Sequence, residues 1–92
     1  MTTATINKVR PVEQYMMDEH GFYFAKVTMF RQDRRTGGVS DVVETFEGCV
    51  KQTDSGIIWM VRPEASMRSN FKQEICTVRE RLISIEMIKA GN

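Results

Sequence analysis

The chain has almost no net charge: 13 Lys and Arg stand against 12 Asp and Glu, leaving +1 over 92 residues. That balance excludes a polybasic protein that coats nucleic acid without discrimination, and also a heavily acidic one that imitates DNA. Any charge-driven function must come from local clusters. Histidine is nearly absent. His20 stands alone beside Gly21 with no partner at ligand spacing, so a metal site is not expected. The two cysteines, Cys49 and Cys76, lie in apolar runs and outside any CxxC pair. They read as buried, reduced thiols of a reducing cytosol. No apolar run approaches the ~20 residues needed to cross a bilayer. Residues 1–5 hold neither a basic nor an apolar leader region. Secretion and membrane insertion are therefore not expected, and a reducing cytosol is the expected compartment.

Catalytic signatures are missing too. No GxSxG, P-loop or HExxH occurs. Glu44 and Glu47 fall on opposite faces of one strand, which is poor geometry for paired acid–base work. No enzyme, cofactor or small-molecule substrate is expected. No internal repeat or flexible linker is visible.

What is present is an ordinary globular balance, with 41% hydrophobic and 27% charged residues, and the length of a single domain, 1–92. Pro11 suits the first turn of a helix, and Glu13 suits its positive end. Val12, Tyr15 and Met16 share one face, so a short helix is predicted over about 11–19, stopped by Gly21. Thr5, Ile6 and Val9 form a brief strand or lie across the surface. Residues 22–31 are rich in aromatic and β-branched side chains and read as a strand. Tyr23, Ala25, Val27 and Met29 point one way, and Phe22, Phe24 and Phe30 the other. Those phenylalanines read as core rather than as base-stacking platforms. A longer strand follows over 39–52, with Gly48 a candidate bulge or bend. A turn at 53–56 leads to a third strand over 57–62, completing a meander. From 64 to 89 the apolar residues Met67, Phe71, Ile75, Val78, Leu82 and Ile85 recur every three or four positions, which predicts a long amphipathic helix. The expected fold is α+β: a three-stranded antiparallel β-meander, a short N-terminal helix, and a long C-terminal amphipathic helix packed on one face. A coiled-coil dimer through that helix is the alternative.

Two basic clusters stand out. Arg31, Arg34 and Arg35 fall within five positions, just before Gly37 and Gly38, between two predicted strands. This reads as a hairpin with a basic tip. A guanidinium offers a rigid fork of donors suited to phosphate or carboxylate, although tip arginines also serve solubility alone. Arg68, Lys72 and Arg79 would form a basic ridge on the predicted helix, either facing a phosphate backbone or acidic partner, or covering the core margin with their stems.

With these residues in view, the whole chain resembles the small phage-encoded anti-CRISPR proteins that block type I-F surveillance complexes. The likeness runs from the N-terminal Met1-Thr2-Thr3-Ala4-Thr5 through the 31–38 tip to the final predicted helix. It implies a non-catalytic cytoplasmic inhibitor that docks on Cas subunits or near the guide RNA and stops target DNA from pairing. The six residues Arg31, Arg34, Arg35, Arg68, Lys72 and Arg79 are the candidate contacts. The alternative reading is a small nucleic-acid-binding regulator of a phage or bacterium.

Overall fold

The structure, a computed structural model, describes residues 5–6 and 8–90. Residues 1–4, read above for a leader, and the closing residues 91–92 lie outside the described residues. The elements are β1 (Thr5–Ile6), α1 (Pro11–His20), β2 (Tyr23–Gln32), β3 (Val39–Gln52), β4 (Ile58–Val61), β5 (Lys72–Cys76), a 3₁₀ turn (Arg79–Arg81), β6 (Leu82–Met87) and β7 (Lys89–Ala90). Strands β2 to β6 form one antiparallel sheet in the order β5-β4-β3-β2-β6. Strands β1 and β7 pair in parallel, Thr5 with Lys89 and Ile6 with Ala90.

The helix begins and ends for local reasons. Pro11 occupies its first turn, where a missing N–H costs nothing. Glu13 reaches back to accept the Arg10 backbone N–H at 3.2 Å and its Nε at 3.0 Å. The Arg10 guanidinium continues outward to the carbonyls of Pro63 and Arg62. The start of α1 is thereby clasped to the β4–β5 loop. At the other end Gly21 takes φ 74°, a left-handed conformation open to glycine without strain.

The predicted long C-terminal helix is not formed. Its span is instead a loop, β5, the 3₁₀ turn and β6, and the sheet has five strands rather than three. The residues explain the difference. Residues 62–71 hold Pro63, Ser66, Ser69 and Asn70, poor helix formers that favour turns. Beyond them, Ile75, Thr77, Val78, Ile83, Ile85 and Ile88 are β-branched and pack best on a pleated surface. The helical stripe dissolves accordingly. Met67 is 54% exposed, whereas Ile75, Leu82 and Ile85 join a core built by strands.

Residues 77–81 carry the chain from β5 to β6, which lie at opposite edges of the sheet. Five flat strands would span ~19 Å between edges. A link that includes a 3₁₀ turn rising only ~2 Å per residue reaches less than that. The sheet therefore curls into a half-barrel. Its concave face gathers Ala25, Val27, Met29, Val50, Ile58 and Cys76, all fully buried, with Leu82 and Ile85 of β6 packed against them. Gly48 is regularly paired with Ala25 and marks no bulge. A Cβ there would stand 3.5 Å from Met60 Sδ, an ordinary contact distance. The register shift lies instead between Phe30 and Gln32. Helix α1 covers the convex face, where Val12 and Met16 meet Phe22, Phe24, Cys49, Val61 and Ile88. Both cysteines are buried and free, Cys49 in the convex core and Cys76 in the concave one. Among the described residues no helix is long and apolar enough to cross a membrane.

Arg81, only 7% exposed, locks the link down. Its Nε donates to the Phe30 carbonyl at 2.9 Å, and its Nη2 lies 3.7 Å from Glu44. Arg81→Met should cost about 1–3 kcal/mol, because a part-buried carbonyl loses its donor and Glu44 loses a counter-charge. Urea denaturation should show a lower midpoint at unchanged slope. Burial, reinforced by Glu13 and opposed by Arg10, pushes the Cys49 thiol up to about 12 from an ordinary 9.0. The folded chain holds this proton more tightly than the unfolded chain does. The stabilisation is thus complete below about pH 9 and lost as pH rises through the folded value. Cys49→Ala should flatten that alkaline loss, which a series of urea melts across the window would measure.

Candidate interaction surfaces

The hairpin of β2 and β3 extends beyond the sheet body. Strand β6 joins β2 only from Ala25 to Met29, and β4 joins β3 only from Val50 to Gln52. Past those limits the two strands have only each other, and they form a two-stranded arm. Its end is closed by the sequence that predicted it. The Asp33 N–H donates to the Gly38 carbonyl at 2.8 Å, and Gly37 N–H to the Asp33 carbonyl at 2.7 Å. Gly37 takes φ 75°. The Asp33 carboxylate accepts the Arg35 N–H at 2.8 Å, which fixes the turn from within.

The arm brings Arg31, Arg34 and Arg35 together. Arg31 is tied to Glu44 across the hairpin at 3.2 Å, and Glu44 in turn faces Arg81. Arg34 and Arg35 are exposed, and among the described residues neither guanidinium has a partner. A concavity of about 640 Å³ lies beside them, lined by Arg31, Gln32, Asp33, Arg34, Ser40, Val42 and Glu44. Along the arm's outer edge β3 shows Val39, Val42 and Val43, each about half exposed, interspersed with Asp41 and Glu44. The charges protect an otherwise apolar free edge.

Arg68, Lys72 and Arg79 do not form a ridge, because the helix that would align them is absent. Arg68 sits in the β4–β5 loop. Arg79 begins the 3₁₀ turn, and its guanidinium lies over Gly56 in the β3–β4 turn. Lys72 opens β5 and holds its ammonium 4.7 Å from the centre of the Trp59 ring.

That last contact marks a cleft that sequence reading missed. Trp59 faces the convex side with Lys51 and Glu74 as cross-strand neighbours. Tyr15 and His20 of α1 and Phe71 of the loop stand around it. The Tyr15 ring packs edge-on to His20 at 5.1 Å and tilted to Phe71 at 5.7 Å. Parity alone sets Trp59 apart from its core neighbours Ile58 and Met60, and that was the available signal. The partners Tyr15 and Phe71 lie far away in sequence and carried none. Among the described residues no cluster of His, Cys, Asp or Glu is arranged to hold a metal.

No family model, curated protein or solved structure matches this chain.

Because Arg34 and Arg35 touch nothing that stabilises the fold, Arg34→Ala with Arg35→Ala should change stability by no more than about 0.5 kcal/mol. Thermal melts followed by circular dichroism would test this, and a large drop would show that the tip supports the fold.

Proposed function

We propose that the protein is a non-catalytic inhibitor that docks on a type I-F CRISPR RNA-guided surveillance complex and prevents target DNA from hybridising. The observation that carries this reading is the arm. Two strands project from the half-barrel and present Arg34 and Arg35 with no partner among the described residues. The hydrogen-bonded turn fixes the backbone that carries these guanidiniums, which lowers the entropy lost when they meet phosphate or carboxylate. The full-length likeness to small anti-CRISPR proteins supplies the kind of partner: Cas subunits together with guide RNA, in the cytoplasm of the host cell. Glu44 is held by Arg31 and Arg81 and Glu47 lies opposite Lys26, which leaves Asp41 as the arm's acid for a lysine on a protein surface, and the near-neutral total suits a mixed protein–RNA contact. Lys72 remains a candidate contact at the far end of β3. Arg68 and Arg79, now on separate loops, no longer form one surface with it.

A small nucleic-acid-binding regulator is the competing reading, favoured only by the basic tip. It requires binding to naked duplex with a steep salt dependence.

The test offers purified protein to guide-loaded type I-F complex, to the same complex already holding target DNA, and to naked duplex DNA. Capture of the guide-loaded complex with loss of later DNA binding is expected. Combined alanine substitution of Arg31, Arg34 and Arg35 should weaken capture by several kcal/mol. Undiminished inhibition by that variant would remove the arm from the mechanism. Binding to naked duplex alone would establish the regulator instead.

A further inference from the structure

We infer that the cleft between α1 and the β4–β5 loop is a binding site for an unpaired nucleobase of single-stranded RNA. Its floor is Trp59. Its walls are Tyr15 and His20 of α1 and, with its ring against Tyr15, Phe71 of the loop, and Ser69, Asn70 and Lys72 complete the lining. The open cleft offers about 430 Å³, within the ~300–1,000 Å³ of small-ligand sites.

Three observations select a nucleotide over other occupants. The first is the density of aromatic surface. Tyr15, Trp59 and Phe71 are all only partly buried, although the molecule has few large side chains to leave in water. Stacking on aromatic rings is the sequence-tolerant means by which single strands are held. The second is charge. Lys72 stands over the Trp59 ring, so a cation entering the cleft would meet a cation already in place. Lys51 sets its ammonium on the His20 carbonyl at 2.7 Å, on the same side of the sheet. Glu74, in register with Trp59, is the acid on that face of β5. Two ammonium groups against one carboxylate favour a ligand that joins a flat ring to an anion, as a nucleotide does. The third is the mouth. Asn70 carries a side-chain amide that offers both a donor and an acceptor, the pair needed to read the edge of a base.

The cleft lies at the opposite end of β3 from the arm. Lys51 and Trp59 are paired near its last residue, and the tip precedes Val39. The inference therefore does not depend on the arm's role.

The chain contains one tryptophan, Trp59, so fluorescence excited selectively at tryptophan reports on this cleft. The full-length protein would be titrated with short single-stranded oligouridylate and oligoadenylate RNA, with the matching duplex, and with a phenylalanine-containing peptide. Saturable quenching by the single strands, and none by the duplex, is expected. Lys72→Gln and Asn70→Ala change exposed side chains and should keep the fold. Each should weaken binding by about threefold to tenfold, and Lys72→Gln should also reduce the salt dependence. Unaltered fluorescence with every RNA overturns the inference. Quenching by the peptide but not by RNA also overturns it and makes the cleft a protein-docking site. Equal affinity in both variants would place RNA elsewhere on the molecule.

Discussion

Residues 77–81 take the chain from one edge of a five-stranded sheet to the other, and the rest of the molecule answers to the shortness of that passage. Two strands adjacent in sequence must end at opposite edges, so the edges are drawn toward each other and the sheet curls. Curling gives a chain of this size a concave core that it closes with strands alone. Val27, Met29, Val50 and Ile58 are removed from water with no helix above them. Arg81 fixes the passage by spending its guanidinium on the Phe30 carbonyl and Glu44, at the base of the arm. The anchor of the link and the root of the projecting hairpin are thus one place.

The convex face has a different solution. Helix α1 is short, and a short helix depends on tertiary contacts for its stability. It obtains them by laying Val12 and Met16 on Phe24, Cys49 and Val61. The Arg10 clasp to the Arg62 and Pro63 carbonyls sets its start against the β4–β5 loop. That loop is itself closed onto the sheet by the Arg62 N–H, which donates to the Phe71 carbonyl at 2.8 Å. Helix and loop meet beside Trp59 through the Tyr15 and Phe71 rings, 5.7 Å apart, and the aromatic cleft opens next to that contact.

Much of this was legible in residue order, and the reasons are local. Pro11, Glu13 and Gly21 delimit α1 by rules that involve only their neighbours. The hairpin followed from two β-rich runs flanking Asp33 to Gly38, and its tip from glycine's tolerance of positive φ. The C-terminal third misled because its apolar spacing satisfies a helix and also, in two short pieces, a pair of strands. Periodicity cannot choose between them when each strand is only five or six residues long. The choice was made by the open edges of β4 and β2, whose unpaired backbone groups needed partners. Once the helix is gone, Arg68, Lys72 and Arg79 have no common axis and part company.

The amino-acid sequence by itself determined the near-neutral balance, the helix over Pro11–His20, the hairpin with its three arginines, and the alternation that makes β2 apolar on both faces. These depend on backbone preferences and on contacts between residues close in the chain. Only the tertiary structure decided the five-stranded half-barrel, the burial of Arg81, the separation of Cys49 from Cys76, and the meeting of Tyr15, Trp59 and Phe71. Each of those depends on which strand edges pair, and that is settled by competition among distant segments for the same hydrogen bonds and the same apolar surface.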